Sequence, residues 1–168
     1  DRLAIDLRFV SVGTPDNRMI IDWQLLNNSA VDELIIEKRE AGVGASWSPI
    51  INVDGDITNH IEIGINTDLN AFEYQIVGQN MCGVTIASEP HTNIWLSGFQ
   101  DEQFNSRLVF TDYLGWENGV DSYDLLLEDN TSPYRVEVSS VLANSSVVLE
   151  HNPKQYRKCL RVYSEESA

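Results

Sequence analysis

Residues 110–127 read FTDYLGWENGVDSYDLLL, the most specific string in the chain. Tyr123, Leu125 and Leu127 recur at every second position, the pattern of a half-buried strand, and Leu108 and Phe110 mark another strand just before. Between them Tyr113, Gly115, Trp116 and Gly119 make an aromatic-rich bend. The stretch predicts two strands of one β-sandwich joined at a corner. Phe110 and Tyr123 are expected to face the core, with Tyr113 and Trp116 bracing the bend.

Outward from that stretch the second half keeps the same rhythm. Ile94 and Leu96, with Trp95 between them, begin a strand after the Glu89-Pro90-His91 connection. Tyr134, Val136 and Val138 form another, then Val147 and Leu149, then Tyr156 through Val162. Ser164-Glu165-Glu166-Ser167 reads as loop, so this half is expected to lack a final strand. Either that strand lies in sequence beyond Ala168 or a partner fills the edge.

The first half predicts the same order of elements. Residues 3–12 place Leu3, Ile5, Leu7 and Phe9 on one side, with Ala4, Asp6 and Arg8 on the other. Ile21, Trp23 and Leu25 share a face of the next strand, and Leu34 and Ile36 are inward candidates in the third. Gly42 and Gly44 make a loop before a strand from Trp47 to Val53, where Pro49 argues for an edge position or a bulge. Asp54-Gly55-Asp56 is a tight-turn signal. Alternation resumes through Ile61, Ile63 and Ile65, again from Phe72 to Ile76, and ends at Val84 to Ser88. No 3.6-residue period competes, so antiparallel sandwiches are expected: one module at 1–90 and a second at 91–168. The connection around Ser88–Thr92 is too short and too poor in Gly and Ser to act as a floppy linker, which predicts a stiff pair.

Composition bounds the function. The 168 residues are 42% hydrophobic and 9% aromatic, which excludes a disordered chain, and the apolar runs are too short for a transmembrane helix. Net charge is −15, divided as 5 basic and 14 acidic groups in 1–90 and 6 and 12 in 91–168. Such a field repels phosphate backbones and anionic membranes, so neither nucleic acid nor membrane insertion is expected. Two cysteines, Cys82 and Cys159, make neither a disulfide framework nor a metal site. Lys154, Arg157, Lys158 and Arg161 form the one basic cluster, read as a solvated face.

No nucleophile, base and orienting-group pattern occurs, and His60, His91 and His151 stand in or beside three different turns. No catalytic residue, metal ligand or cofactor is expected. Asp54, Asp56 and Asn59 could crowd oxygen ligands as in a calcium loop, but a bidentate Glu at loop spacing is missing, which favours a plain turn. Trp47 and Trp95 are the candidate binding aromatics for stacking on sugar rings, against a packing role; Trp116 leans to packing and Trp23 to the core. Asn27, Asn130 and Asn144 begin N-x-Ser sequons, read first as turns.

With its halves aligned, the chain resembles a pair of fibronectin type III modules. More narrowly it resembles the fibronectin-like repeats that precede the C-terminal sorting domain in surface proteins of gliding, type IX-secreting Bacteroidetes. Phe110, Tyr113, Gly115, Trp116, Gly119, Val120 and Tyr123 match the aromatic bend of those repeats. Cys159, Leu160, Arg161 and Val162 match their C-Y-R-V strand. Asn80, Cys82, Gly83, Ser88, Glu89, His91, Thr92, Ile94 and Leu96 match the loop and connection of the preceding module, with small shifts. Phe110 replaces the usual Trp, Leu160 the usual Tyr, and Glu73 stands where a strand Cys is common. The resemblance implies that Cys159 is half of a disulfide whose partner strand this sequence does not reach. It also implies a non-enzymatic, extracellular or cell-surface spacer, flanked by other domains of a larger surface protein. The alternatives are a glycan- or protein-binding module using Trp47 or Trp95, or an accessory domain of a larger secreted hydrolase.

Overall fold

The computed structural model describes residues 4–13, 17–26, 31–42, 44–79, 83–100, 106–129, 132–138, 147–149 and 158–166; from residue 100 onward the side chains described are those of 109–120 and 123. Two compact units divide the chain. The first comprises Asp1–Asn93 together with Leu114–Trp116, and the second Ile94–Tyr113 with Glu117–Ala168.

The first unit contains β1 (Ala4–Gly13), β2 (Arg18–Leu26), β3 (Glu33–Glu40), β4 (Ser48–Asp54), β5 (Asn59–Ile63), β6 (Phe72–Gln79), β7 (Thr85–Ala87) and β8 (His91–Thr92). One sheet runs β1-β2-β5; the other runs β4-β3-β6-β7, with β8 also on β6. All these pairings are antiparallel. Strands consecutive in sequence change sheets between β2 and β3, between β4 and β5, and between β5 and β6. Leu7, Val10, Met19, Ile21 and Trp23 from one sheet and Leu34, Ile36, Tyr74 and Ile76 from the other are each 2% exposed or less. Each such apolar burial contributes roughly 1.5–3 kcal/mol against the chain entropy, which makes this layer the core of the unit.

Two inward assignments need correction. In β1 the register shifts between Leu7 and Phe9, so Arg8 is an extra residue and Val10, not Phe9, takes the next core position. In β5 the isoleucines are reversed: Ile61 and Ile63 are 47% and 69% exposed, and His60 and Glu62 occupy the inward parity. Ile65, beyond the strand, is buried. The physical reason lies across the sandwich, where Lys38 and Tyr74 both bind the Glu62 carboxylate. Pro49 behaves as its chemistry requires. β4 is an edge strand, and its register with β3 shifts at the Glu37↔Pro49 pair.

The second unit contains β9 (Leu96–Gln100), β10 (Ser106–Phe110), β11 (Val120–Asp129), β12 (Ser132–Val138), β13 (Val147–Leu149) and β14 (Lys158–Glu166). Its sheets, β13-β10-β9 and β12-β11-β14, reproduce β5-β2-β1 and β4-β3-β6 strand for strand. The repeat is therefore one of topology. Ser164–Glu166, expected as loop, continues β14, because Tyr123, Ser122 and Val120 of β11 extend the ladder opposite it. Among the described residues no strand stands beside β14 where β7 and β8 stand beside β6. Tyr156, Arg157, Lys154 and His151 lie outside the described residues, as do Cys82 and the three sequon asparagines.

The aromatic corner forms as its residues suggest. Phe110 and Tyr123 are buried, one from each sheet of the second unit, with ring centroids 5.2 Å apart and planes at 59°. The Tyr123 hydroxyl accepts from the Tyr113 N–H at 3.0 Å and donates to Asp112 at 3.2 Å. Burial, offset in part by that Tyr113 hydrogen bond and reinforced by the Asp112 carboxylate, pushes the hydroxyl up to about 12. Tyr123→Phe keeps the ring pair and deletes both bonds, so a loss of ~1–2 kcal/mol is expected from thermal unfolding of the second unit.

Candidate functional site

The residues that carry most polar detail lie along β6 and around its end. β6 is paired over nearly its whole length by one irregular partner. β7 covers Val77–Gln79 and β8 covers Glu73 and Tyr74. Between them Pro90 has no N–H to donate, and the ladder is patched by a side chain. The Ile76 N–H donates to Ser88 Oγ at 3.0 Å, while the Ser88 N–H donates to the Ile76 carbonyl at 2.9 Å. Asn93 repeats the device at the far end. Its Oδ1 accepts from the Phe72 N–H at 2.8 Å and its own N–H donates to the Phe72 carbonyl at 3.2 Å. Ser88, His91, Thr92 and Asn93 are all buried. The segment that the sequence marks as a connection is bonded to the first sandwich at both ends and includes the strand β8.

A three-residue strap, Leu114–Trp116, is part of that same unit. The Thr92 N–H donates to the Leu114 carbonyl at 2.8 Å, and the Leu114 N–H returns to Thr92 at 3.4 Å. Trp116 donates its indole N–H to the Arg8 carbonyl at 2.7 Å. The bulge at Arg8 thus has a use, since the displaced carbonyl meets the indole. Gly115 packs against the His91 ring: a Cβ placed on it would sit 2.1 Å from His91 Cδ2. Its φ of +130° is one that side-chain-bearing residues rarely adopt. His91 is 4% exposed and hydrogen-bonds the Gly115 backbone. Burial lowers its pKa from 6.5 to about 4, against the opposing pull of Asp6 and of that hydrogen bond.

Of the two candidate binding aromatics, Trp47 precedes β4, half-buried. The Arg39 guanidinium lies 4.3 Å from its ring centroid, and Arg39 pairs in turn with Glu73 on the neighbouring strand. One face of the indole is therefore occupied by a cation. Trp95, also half-buried, directly precedes β9, and its backbone exchanges bonds with Thr111: N–H to Thr111 Oγ1 at 2.9 Å, carbonyl from the Thr111 N–H at 2.9 Å. The two indoles belong to different units.

The cluster that sequence patterning missed is Lys38, Glu62 and Tyr74. Glu62 accepts from Lys38 through one carboxylate oxygen and from the Tyr74 hydroxyl through the other, at 2.7 Å. Lys38 also lies 5.3 Å from the Phe72 ring centroid. Burial, then the Glu62 charge, raises the Tyr74 hydroxyl beyond any physiological titration. The arrangement ties β5 of one sheet to β3 and β6 of the other. The signal that could have found it is the offset in β5, where a Glu separates two isoleucines. Glu62→Ala leaves an ammonium and a buried phenol without their shared acceptor, so a loss of ~2 kcal/mol is expected in denaturant unfolding of the first unit.

Both titratable clusters thus spend their groups on structure. Asp54-Gly55-Asp56 does so too: the Gly55 N–H donates to the Asp32 carbonyl at 3.1 Å and the Ile57 N–H to the Asp54 carbonyl at 3.0 Å, closing a turn. Among the described residues no three His, Cys, Asp or Glu side chains gather as metal ligands.

The class these features define is an all-β chain of tandem, antiparallel, fibronectin type III-like sandwiches. No family model matches the chain, and no curated protein does. Among solved structures it is similar to the chicken CNTN1 FN1-FN3 domains, at 13% identity and a TM-score of 0.37. The similarity covers 95% of this chain and 66% of that one, just under two thirds. The strand order within each unit, rather than this likeness, carries the fold.

Proposed function

We propose that this chain is a non-enzymatic structural module pair, a spacer between other domains of a secreted or cell-surface protein. The observation that supports this reading is the segment from Ser88 to Asn93, whose Ser88, His91, Thr92 and Asn93 are buried and whose ends are bonded to β6, which leaves the first unit no free tail before Ile94. A spacer needs stiffness where its modules join, and acidic surfaces that keep it soluble among anionic neighbours. Within this reading the aromatic bend and the C-L-R-V strand point to the repeats of type IX-secreted, gliding-associated surface proteins. A C-terminal sorting domain in the full-length polypeptide is the observation that would support that narrower kinship.

The test is a titration of the 15N-labelled chain with a panel of soluble glycans. Unchanged amide and indole shifts at Trp47 and Trp95 are expected. Saturable shifts that vanish in Trp47→Ala or Trp95→Ala would replace the spacer with a glycan-binding module.

A further inference from the structure

His91 is the one histidine of this chain that the structure shows fully enclosed among its described residues, and what encloses it is unequal on its two sides. Behind it is β6, where Tyr74 is its cross-strand partner and Ser88 and Asn93 secure the ladder on either side. In front is the Leu114–Trp116 strap, secured by the paired Thr92–Leu114 bonds and the Trp116–Arg8 bond. The strap is the thinner cover. A charged imidazole in that position must recover water, and lifting the strap uncovers it without unzipping the β6–β8 ladder.

We propose that His91 is an acid-sensitive latch under residues 114–116, whose charging releases the strap while the β-sandwich beneath stays folded.

The groups facing it fit that role. From β1, Asp6 attracts a proton toward the ring, but its carboxylate also accepts from Gln24 at 2.7 Å. Arg8, on the same strand, is turned to Asp22 at 3.2 Å. From β6, the Tyr74 hydroxyl is committed to Glu62. From the strap comes the Gly115 backbone, which brings no ionisable group. Burial dominates, so the ring is neutral when closed. The sign follows: a pKa depressed from 6.5 to about 4 holds the strap fully above pH 6.5, and the hold is lost as pH falls through that window.

The test is native-state hydrogen exchange of the intact chain, corrected for intrinsic rates. Between pH 7 and pH 4.5 the protection of the Thr92 amide is expected to fall roughly 50-fold, while amides of the β3–β6 ladder keep theirs. His91→Gln is expected to abolish the pH dependence. If that variant does not fold, the wild-type imidazole resonance decides: its titration midpoint must lie near 4, at the acid end of the window through which Thr92 protection is lost. The proposal is overturned by Thr92 protection that does not change with pH. It is overturned equally by the same change in His91→Gln, by simultaneous loss of the β3–β6 ladder, or by an imidazole titrating near its ordinary value with the strap still closed.

Discussion

Gly55→Ala is expected to unfold the first unit at temperatures where the wild-type chain is intact. A Cβ on Gly55 would stand 1.5 Å from the Val31 carbonyl oxygen and 2.6 Å from its carbon. Both are backbone atoms, so no rotamer change can clear the space. The turn cannot retreat either, because the Gly55 N–H donates to the next carbonyl, Asp32, at 3.1 Å. Glu33↔Asp54 then begins the β3–β4 ladder one residue away on each side. The overlap must be relieved by breaking the turn and the start of two strands, which places the cost above ~4 kcal/mol. At several degrees per kcal/mol, the first unit's melting temperature should fall by roughly 20 °C in calorimetry. Gly42→Ala is the control. Its φ is +76° but nothing lies within 4 Å of its Cβ position, so only the backbone strain of ~1–2 kcal/mol is expected.

Gly115→Ala is expected to detach the strap without melting the sandwich. Two costs coincide at this residue: a side chain at φ +130° and a Cβ 2.1 Å from a buried ring. Together they come to ~3 kcal/mol, but the chain can evade them by opening locally. The readout is therefore Thr92 amide protection, which should drop ~100-fold at neutral pH with little change in the first unit's melting temperature. The variant should also lose the acid dependence assigned to His91, because the latch then has nothing to hold.

The period-2 alternation made β1, β2, β3 and β6 legible, because one face of each meets an apolar neighbour and the other meets polar groups or solvent. Pro49 marked an edge and a bulge for a local reason, its missing N–H. What stayed hidden depends on partners distant in sequence. The β1 bulge leaves no local signature, and its carbonyl is used by Trp116, 108 residues away. The inward turn of Glu62 is decided by Lys38 and Tyr74 on the other sheet, 24 and 12 residues distant. His91 reads as a turn residue because Glu89-Pro90 interrupts the strand, whereas Ser88 and Asn93 side chains repair the interruption. The strand end at Ser164–Glu166 looked like loop because polar residues without alternation still pair when a neighbouring strand supplies the ladder. Of the candidate aromatics, Trp47's stacking under Arg39 required the β3–β6 register, which places Arg39 opposite Glu73.

The measurement that tests the structural reading most directly is limited proteolysis of the native chain with a protease of low sequence preference, its first cuts mapped by mass spectrometry. If the 88–93 segment is held on β6 as described, early cuts fall at exposed positions such as Gly42 and Gly44, and that segment stays whole until the first unit unfolds. A first cut between Ser88 and Asn93 in the folded protein would show a free linker there, and would contradict the spacer account.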